Sequence, residues 1–183
     1  MHRNQIDKIV SSIGILLAVV LLAASVVLYF TYGFIHGQVS DQLSSQKIFF
    51  PKTSDEAFKS LPADSQAAIQ PFAGQQLTTG AGAEVFADHY IAIHLEKIGG
   101  GLTYSELSAK SMADPSNQEL AGKVDTVFRG ETLRGVLLNA YAFDTMAVVA
   151  KFVAIGAFVA GLILIPLSYL GFRHAKKVKP GKK

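Results

Sequence analysis

Chemistry needs side chains that hold a metal, move a proton or attack a carbon, and the only concentration of such residues in this chain is Asp88, His89, His94 and Glu96. Two metal ligands on one helix stand at i and i+3 or i+4. His89 and His94 are five apart, which turns the second ring about 140° away from the first. His94 also falls in an apolar stripe, where a hydrogen-bonded core histidine is the expected role. A non-haem iron triad on His89 or His94 would have to recruit its carboxylate from elsewhere. The Gly99-Gly100-Gly101 run lacks the preceding strand and the lysine of a phosphate loop, and reads as a helix terminator. No G-x-S-x-G elbow, H-E-x-x-H, P-loop or EF-hand occurs. With no cysteine, a disulfide framework, a thiolate zinc site, an iron–sulfur cluster and a cysteine nucleophile are excluded. The expectation is no catalytic residue, no metal site and no cofactor. A metal-dependent oxidoreductase ranks third among the functional readings.

The elements that would position any site are dominated by two apolar runs. Half of the 183 residues are hydrophobic and 17% are charged, a composition that fits a membrane protein better than a disordered or freely soluble one. Residues 9–35 contain no charge and, as a helix, exceed the roughly 30 Å hydrocarbon core. A cleaved signal peptide would have an apolar region of only about 7–15 residues. Tyr29, Tyr32 and Phe34 resemble an interfacial aromatic belt. Residues 146–172 form the second run, with Lys151 as its sole charge, near enough to one end to snorkel to the headgroups.

Charge sets the direction. Arg173, Lys176, Lys177, Lys179, Lys182 and Lys183 follow the second run with no acid among them, which marks that end as cytoplasmic. Two spans return the chain to its starting side, so residues 1–8 are expected inside as well. Residues 36–145 carry eight Lys/Arg against thirteen Asp/Glu, as expected of a translocated segment. The expected plan is therefore an all-α membrane protein of the plasma membrane. Two antiparallel transmembrane helices, 9–35 and 146–172, flank a small α-helical extracytoplasmic domain, 36–145, and both termini, 1–8 and the basic tail 173–183, are cytoplasmic. Lys151, Arg173, Lys176, Lys177 and Lys179 are the candidate lipid-headgroup contacts. The net charge of +3 resides in the tail and gives no sign of nucleic-acid binding.

On a uniform rise, residues of the two helices at one depth have numbers summing to about 181. Gly156, Ala157, Ala160 and Gly161 then lie level with Ser25, Ala24, Leu21 and Val20. Small residues meeting at one level allow close backbone approach, so Ala24, Ser25, Gly156, Ala157, Ala160 and Gly161 are expected to pack the helices together or to bind another helix. Gly14 and Ala18 lack a small counterpart at their depth and are candidates for an external partner. Pro166 is expected to kink the second helix.

In the middle segment, residues 41–50 read as a continuation of the first helix as far as Pro51, and 61–80 as an irregular connection. Ala87, Ile91, His94, Leu95 and Ile98 form the stripe of a helix over 83–98. Thr103 to Glu106 has capping-box spacing, and Asp114-Pro115 has the form of a further helix start. Leu120, Val124, Val127 and Phe128 recur at helical spacing, Gly130 interrupts, and Leu133, Val136, Leu137, Ala140 and Tyr141 resume into the second apolar run. Ile48, Phe49 and Phe50 are apolar beside the bilayer and need a cover, which makes them partner-binding candidates. Arg129 and Arg134 join them as candidates for docking an acidic partner or headgroup.

The segments QLSSQKIFFP at 42–51, AGQQ at 73–76, ADHYI at 87–91, TYSE at 103–106 and, most specifically, FRGETLRGVLLNAY at 128–141 resemble a family of small two-span envelope proteins of actinobacteria. The resemblance covers most of the chain. It implies a plasma-membrane protein with its middle segment outside, and it transfers no catalytic residue. Members sometimes carry a ring-opening dioxygenase label, which the spacing of His89 and His94 does not support. The leading expectation is a non-enzymatic accessory or scaffold subunit of a larger plasma-membrane assembly, or a self-assembling membrane protein. Its partners are membrane lipids and other membrane subunits or itself, and a respiratory-chain supercomplex is a host that such a chain would suit. The alternative is an extracytoplasmic sensor of a lipid or small ligand.

Overall fold

The computed structural model describes residues 3–177, and all regular structure among them is helical. α1 (Arg3–Ser45) and α7 (Gln118–Lys177) are long and apolar enough to cross a membrane. In the most apolar window of each only 11% of residues are buried, whereas a core helix of a soluble protein would be mostly buried. Between them lie α2 (Glu56–Lys59), α3 (Ala63–Ile69) with a 3₁₀ turn (Gln70–Phe72), α4 (Gly80–Phe86), a π-helical turn (Ala87–Ile91), α5 (Ala92–Gly99) and α6 (Tyr104–Ala113). Contacts divide the chain into two units, one of residues up to 34 and from 147 onward, the other of residues 35–146.

In the first unit α1 and α7 run antiparallel. Asp7 meets His174, Ser11 meets Gly171, Gly14 meets Ser168, Leu22 meets Gly161 and Tyr32 meets Lys151. Each of these pairs sums to 181–183. The seam repeats every seven residues, with Ser11, Ala18 and Ser25 buried on α1 and Ala147, Ala154, Gly161, Ser168 and Ala175 buried on α7. A seven-residue repeat of small side chains lets two helices approach closely. Ser11 and Ser168 lie in each other's mirror positions: each serine oxygen occupies the place where a Cβ on the opposing glycine would stand. Such contact exposes a glycine Cα–H to a hydroxyl oxygen, a weak hydrogen bond that recurs at helix interfaces. Pro166 lies inside α7, which continues on both sides of it.

The second unit closes around Ile69, Leu77 and Leu137, each fully buried. Burial of such a side chain contributes about 1.5–3 kcal/mol. Val39 and Leu43 at the end of α1, Phe50, Phe58, Leu61, Phe86, Ile91 and Leu95 complete the core. α1 stops at Ser45 instead of running to Phe50, because the chain reverses through Lys47 in the left-handed region, φ 53°. Residues 48–50 then lie antiparallel to 75–77, with the Phe50 N–H donating to Gln75 O and the Leu77 N–H to Ile48 O, both at 2.9 Å. The extended segment turns Phe50 inward, where it stacks on Phe72 and meets the edge of Phe86, each at 5.2 Å. The region 61–80, expected to be irregular, contains α3.

Local signals behave as their chemistry dictates. Thr103 and Glu106 form the capping box of α6, and Gly100 and Gly101, at φ 63° and 78°, close α5 with the Gly101 N–H donating to Glu96 O. The start of α7 is displaced from Asp114 to Asn117, whose side-chain oxygen accepts from the Leu120 N–H at 3.0 Å. Asp114 instead holds the preceding turn, accepting from Ser116 Oγ at 2.8 Å. Gly130 does not interrupt α7: a Cβ there would collide with Leu95, so the glycine permits close approach of α5.

Candidate functional site

The most buried ionisable group in the middle unit is Asp144 on α7, 8% exposed. Its Oδ1 lies 2.6 Å from Nδ1 of His36 on α1, and its Oδ2 accepts the Gly80 N–H at 3.1 Å. A carboxylate only accepts hydrogen bonds, so the proton between the first pair belongs to the imidazole. Gly80 opens α4, where backbone N–H groups lack intrahelical acceptors. Thr79 caps Gly82 and Asp144 takes the Gly80 amide, so two of those donors are satisfied. A side chain at position 80 would overlap Asp144, which explains the glycine. One carboxylate thus ties three helices together. Nothing in the sequence pattern marks it, because the three residues are separated by 44, 64 and 108 positions.

The histidines singled out by the sequence stand apart in role. His94 Nδ1–H donates to Tyr90 O at 2.7 Å, and its ring lies 4.4 Å from that of Tyr90. His89 sits 3.4 Å from the Ser65 hydroxyl. Neither they nor any other group of three or more His, Asp or Glu side chains among the described residues is placed to hold a metal ion. Asp88, Ala87 and Tyr90 belong to the π turn, an element that the stripe of a regular helix does not announce.

Arg134 is half-buried and is held by Asp88, with Nη2 at 2.8 Å and Nε at 3.2 Å from the same oxygen. That bond, ahead of the opposing effect of burial, raises the Arg134 pKa above its ordinary value. The guanidinium, expected from the sequence as a docking group, therefore fastens the π turn to α7. Arg129 is exposed and pairs one turn back with Asp125 at 3.0 Å. Of the three apolar candidates, Phe50 is core at 3% exposure, Ile48 is half-buried, and Phe49 remains exposed.

Among the helix-packing candidates, Ser25 and Gly161 lie buried on the seam and Ala24 and Ala157 lie at its margin. Gly156 has open space at its Cβ position and Ala160 is exposed, so this pair faces away from α1. Gly14 and Ala18, expected to await an external helix, are occupied within the hairpin by Ser168 and Gly161. The uniform-rise register was one residue short of the observed pairing of Gly14 with Ser168, which hid the serine. The Lys151 ammonium stands 5.0 Å from the centre of the Tyr32 ring. Arg173 and Lys176 are exposed near the end of α7, as is Lys177, its last residue, while Lys179 lies outside the described residues. Compared with known proteins, the chain matches no family model, no curated protein and no solved structure.

Proposed function

We propose that the protein is a non-enzymatic accessory or scaffold subunit of a larger plasma-membrane assembly, with both termini cytoplasmic and the middle unit outside. The observation that carries this reading is one face of α7. Leu133, Val136 and Phe143 are 37%, 50% and 57% exposed and share that face with Arg129. They belong to the middle unit and precede the expected span of 146–172, and the reading assigns their cover to protein. Gly156 and Ala160 add an open small-residue pair on the same helix, of the kind that admits a second helix in a membrane. Polar side chains with clear geometry, the His36–Asp144–Gly80 cluster and the Arg134–Asp88 pair, are engaged in holding helices together. The excess of basic residues after α7 and the acidic balance of 36–145 support the assigned orientation.

Ile69, Leu77 and Leu137 fill the core of the middle unit, so under the ligand-sensor alternative the ligand would sit in a surface cleft, such as that of about 290 Å³ lined by Tyr104, Val124 and Phe128. A photo-crosslinking residue at Val136 tests the proposal in native membranes. A single stoichiometric adduct with another membrane protein, or with a second copy, is expected. Labelling of lipid alone, or no adduct, would refute it.

A further inference from the structure

Within the hairpin, a groove of about 350 Å³ opens between the two helices, lined by Ser25, Val26 and Tyr29 on α1 and by Ala154, Ile155 and Phe158 on α7. Its floor is small, Ser25 and Ala154, and both are buried in the seam. The Ser25 hydroxyl is already engaged, donating to Leu22 O at 2.7 Å, so the floor offers an occupant no free donor. The rim is bulky: Val26, Tyr29, Ile155 and Phe158 are each about half exposed or somewhat less buried than that. A transmembrane helix is about 10–12 Å across and seats best on small rims. A groove with a small floor and bulky apolar rims suits a thin, flexible chain. The volume is more than twice that of a cavity of about 150 Å³ that accepts benzene.

The second observation is charge. Lys151 precedes Ala154 and Ile155 by one helical turn, and its ammonium lies over Tyr32, whose ring is 6.1 Å from Tyr29 in the groove wall. A cation therefore stands at one end of an apolar slot. We propose that this groove holds an acyl chain of an anionic phospholipid whose phosphate rests on the Lys151 ammonium. Inside a bilayer no hydrophobic drive favours the groove over bulk lipid, so the chain contributes dispersion fit and the headgroup supplies selectivity. The proposal needs the hairpin to lie in a bilayer and is independent of any protein partner.

Native mass spectrometry of the full chain, released from mild detergent with equal amounts of dioleoyl phosphatidylglycerol and phosphatidylcholine, tests it. One lysine at a membrane surface favours an anionic lipid by about fivefold, and the wild type is expected to retain phosphatidylglycerol in at least that excess. Lys151→Gln is expected to lower the ratio about fivefold, leaving the share that the basic tail contributes. Val26→Trp, which fills the slot from its rim, is expected to lower retention of both lipids with unchanged helical circular dichroism. In a Lys176→Gln, Lys177→Gln background, whose own ratio is lower, Lys151→Gln is expected to lower the ratio by the same factor. Equal retention by the wild type, a ratio that Lys151→Gln leaves unchanged in either background, or undiminished retention by Val26→Trp would each overturn the proposal. So would a lipid-free dimer in place of the lipid-bound chain.

Discussion

Replacing Asp144 by Ala removes an acceptor from two helices at once. The Gly80 N–H is buried where Asp144 receives it, and a buried donor left without an acceptor costs about 1–3 kcal/mol. The His36 side chain is 40% exposed and can turn to water, so its lost pairing adds under about 1 kcal/mol after solvent screening. The sum is about 1–4 kcal/mol, and for a domain near a hundred residues that lowers the melting temperature by roughly 5–25 °C. Asp144→Asn retains an oxygen for Gly80 and loses the charge, so a cost of about 1 kcal/mol is expected. Gly80→Ala drives a methyl into the carboxylate and destabilises on its own. Combined with Asp144→Ala it should cost less than the two singly, by about 1 kcal/mol or more, because the clash partner is gone. Thermal unfolding followed by circular dichroism gives the energies, and hydrogen exchange of the 80–86 amides locates them. An Asp144→Ala protein within about 0.5 kcal/mol of wild type, with unchanged exchange at Gly80, would refute the clamp.

Other consequences are equally concrete. Glu106 is held below the usual carboxylate range first by the Thr103 backbone N–H and next by its hydroxyl, so the capping box supports α6 above the unfolded carboxylate pKa of about 4.3 and loses that support as pH falls through the lower folded value. An NMR titration should show the depression, and Thr103→Val should relieve it only in part because the backbone donor remains; an ordinary Glu106 pKa would contradict this. Arg134→Ala should cost about 1 kcal/mol and Arg129→Ala nearly nothing, since the first breaks a half-buried contact with the π turn and the second an exposed pair on one helix; equal costs in urea unfolding would be contrary. Gly130→Val should destabilise more than Gly122→Val, because the first meets Leu95 and the second open space. In this cysteine-free chain, Gly14→Cys with Ser168→Cys should oxidise to an intramolecular disulfide seen as a mobility shift, and Gly14→Cys with Ala160→Cys should not.

Features set by neighbouring residues were legible in the sequence. The Thr103–Glu106 box, the glycine terminator after α5 and the two apolar runs each depend on a few residues in series. Where the chain had a choice between close alternatives, reading failed by small amounts. Asn117 displaced Asp114 as cap by three residues, and Lys47 diverted the chain before Phe50. The hairpin shows the same limit. Small residues occur on two faces of α7, and the small-residue pairs expected to pack take in both: Ala157 and Gly161 lie on or beside the seam and Gly156 and Ala160 away from it, whereas the seven-residue series Ala147, Ala154, Gly161, Ser168 and Ala175 marks only the occupied face. That series, matched by Ser11, Ala18 and Ser25, was available as a signal. The joining of His36, Gly80 and Asp144 was not, because no local periodicity relates residues brought together only by tertiary packing.

Docking through α7 is tested most directly by mild solubilisation of tagged protein at native abundance, with mass spectrometry of what co-purifies and the mass of the eluted particle. The comparison is Val136→Glu, which places a charge on the exposed apolar face without touching the core. A defined stoichiometric partner set, or a homo-oligomer, that is lost in Val136→Glu while the hairpin and middle unit stay folded is the expected result. A monodisperse monomer from the wild type, or an assembly indifferent to the added charge, would contradict it.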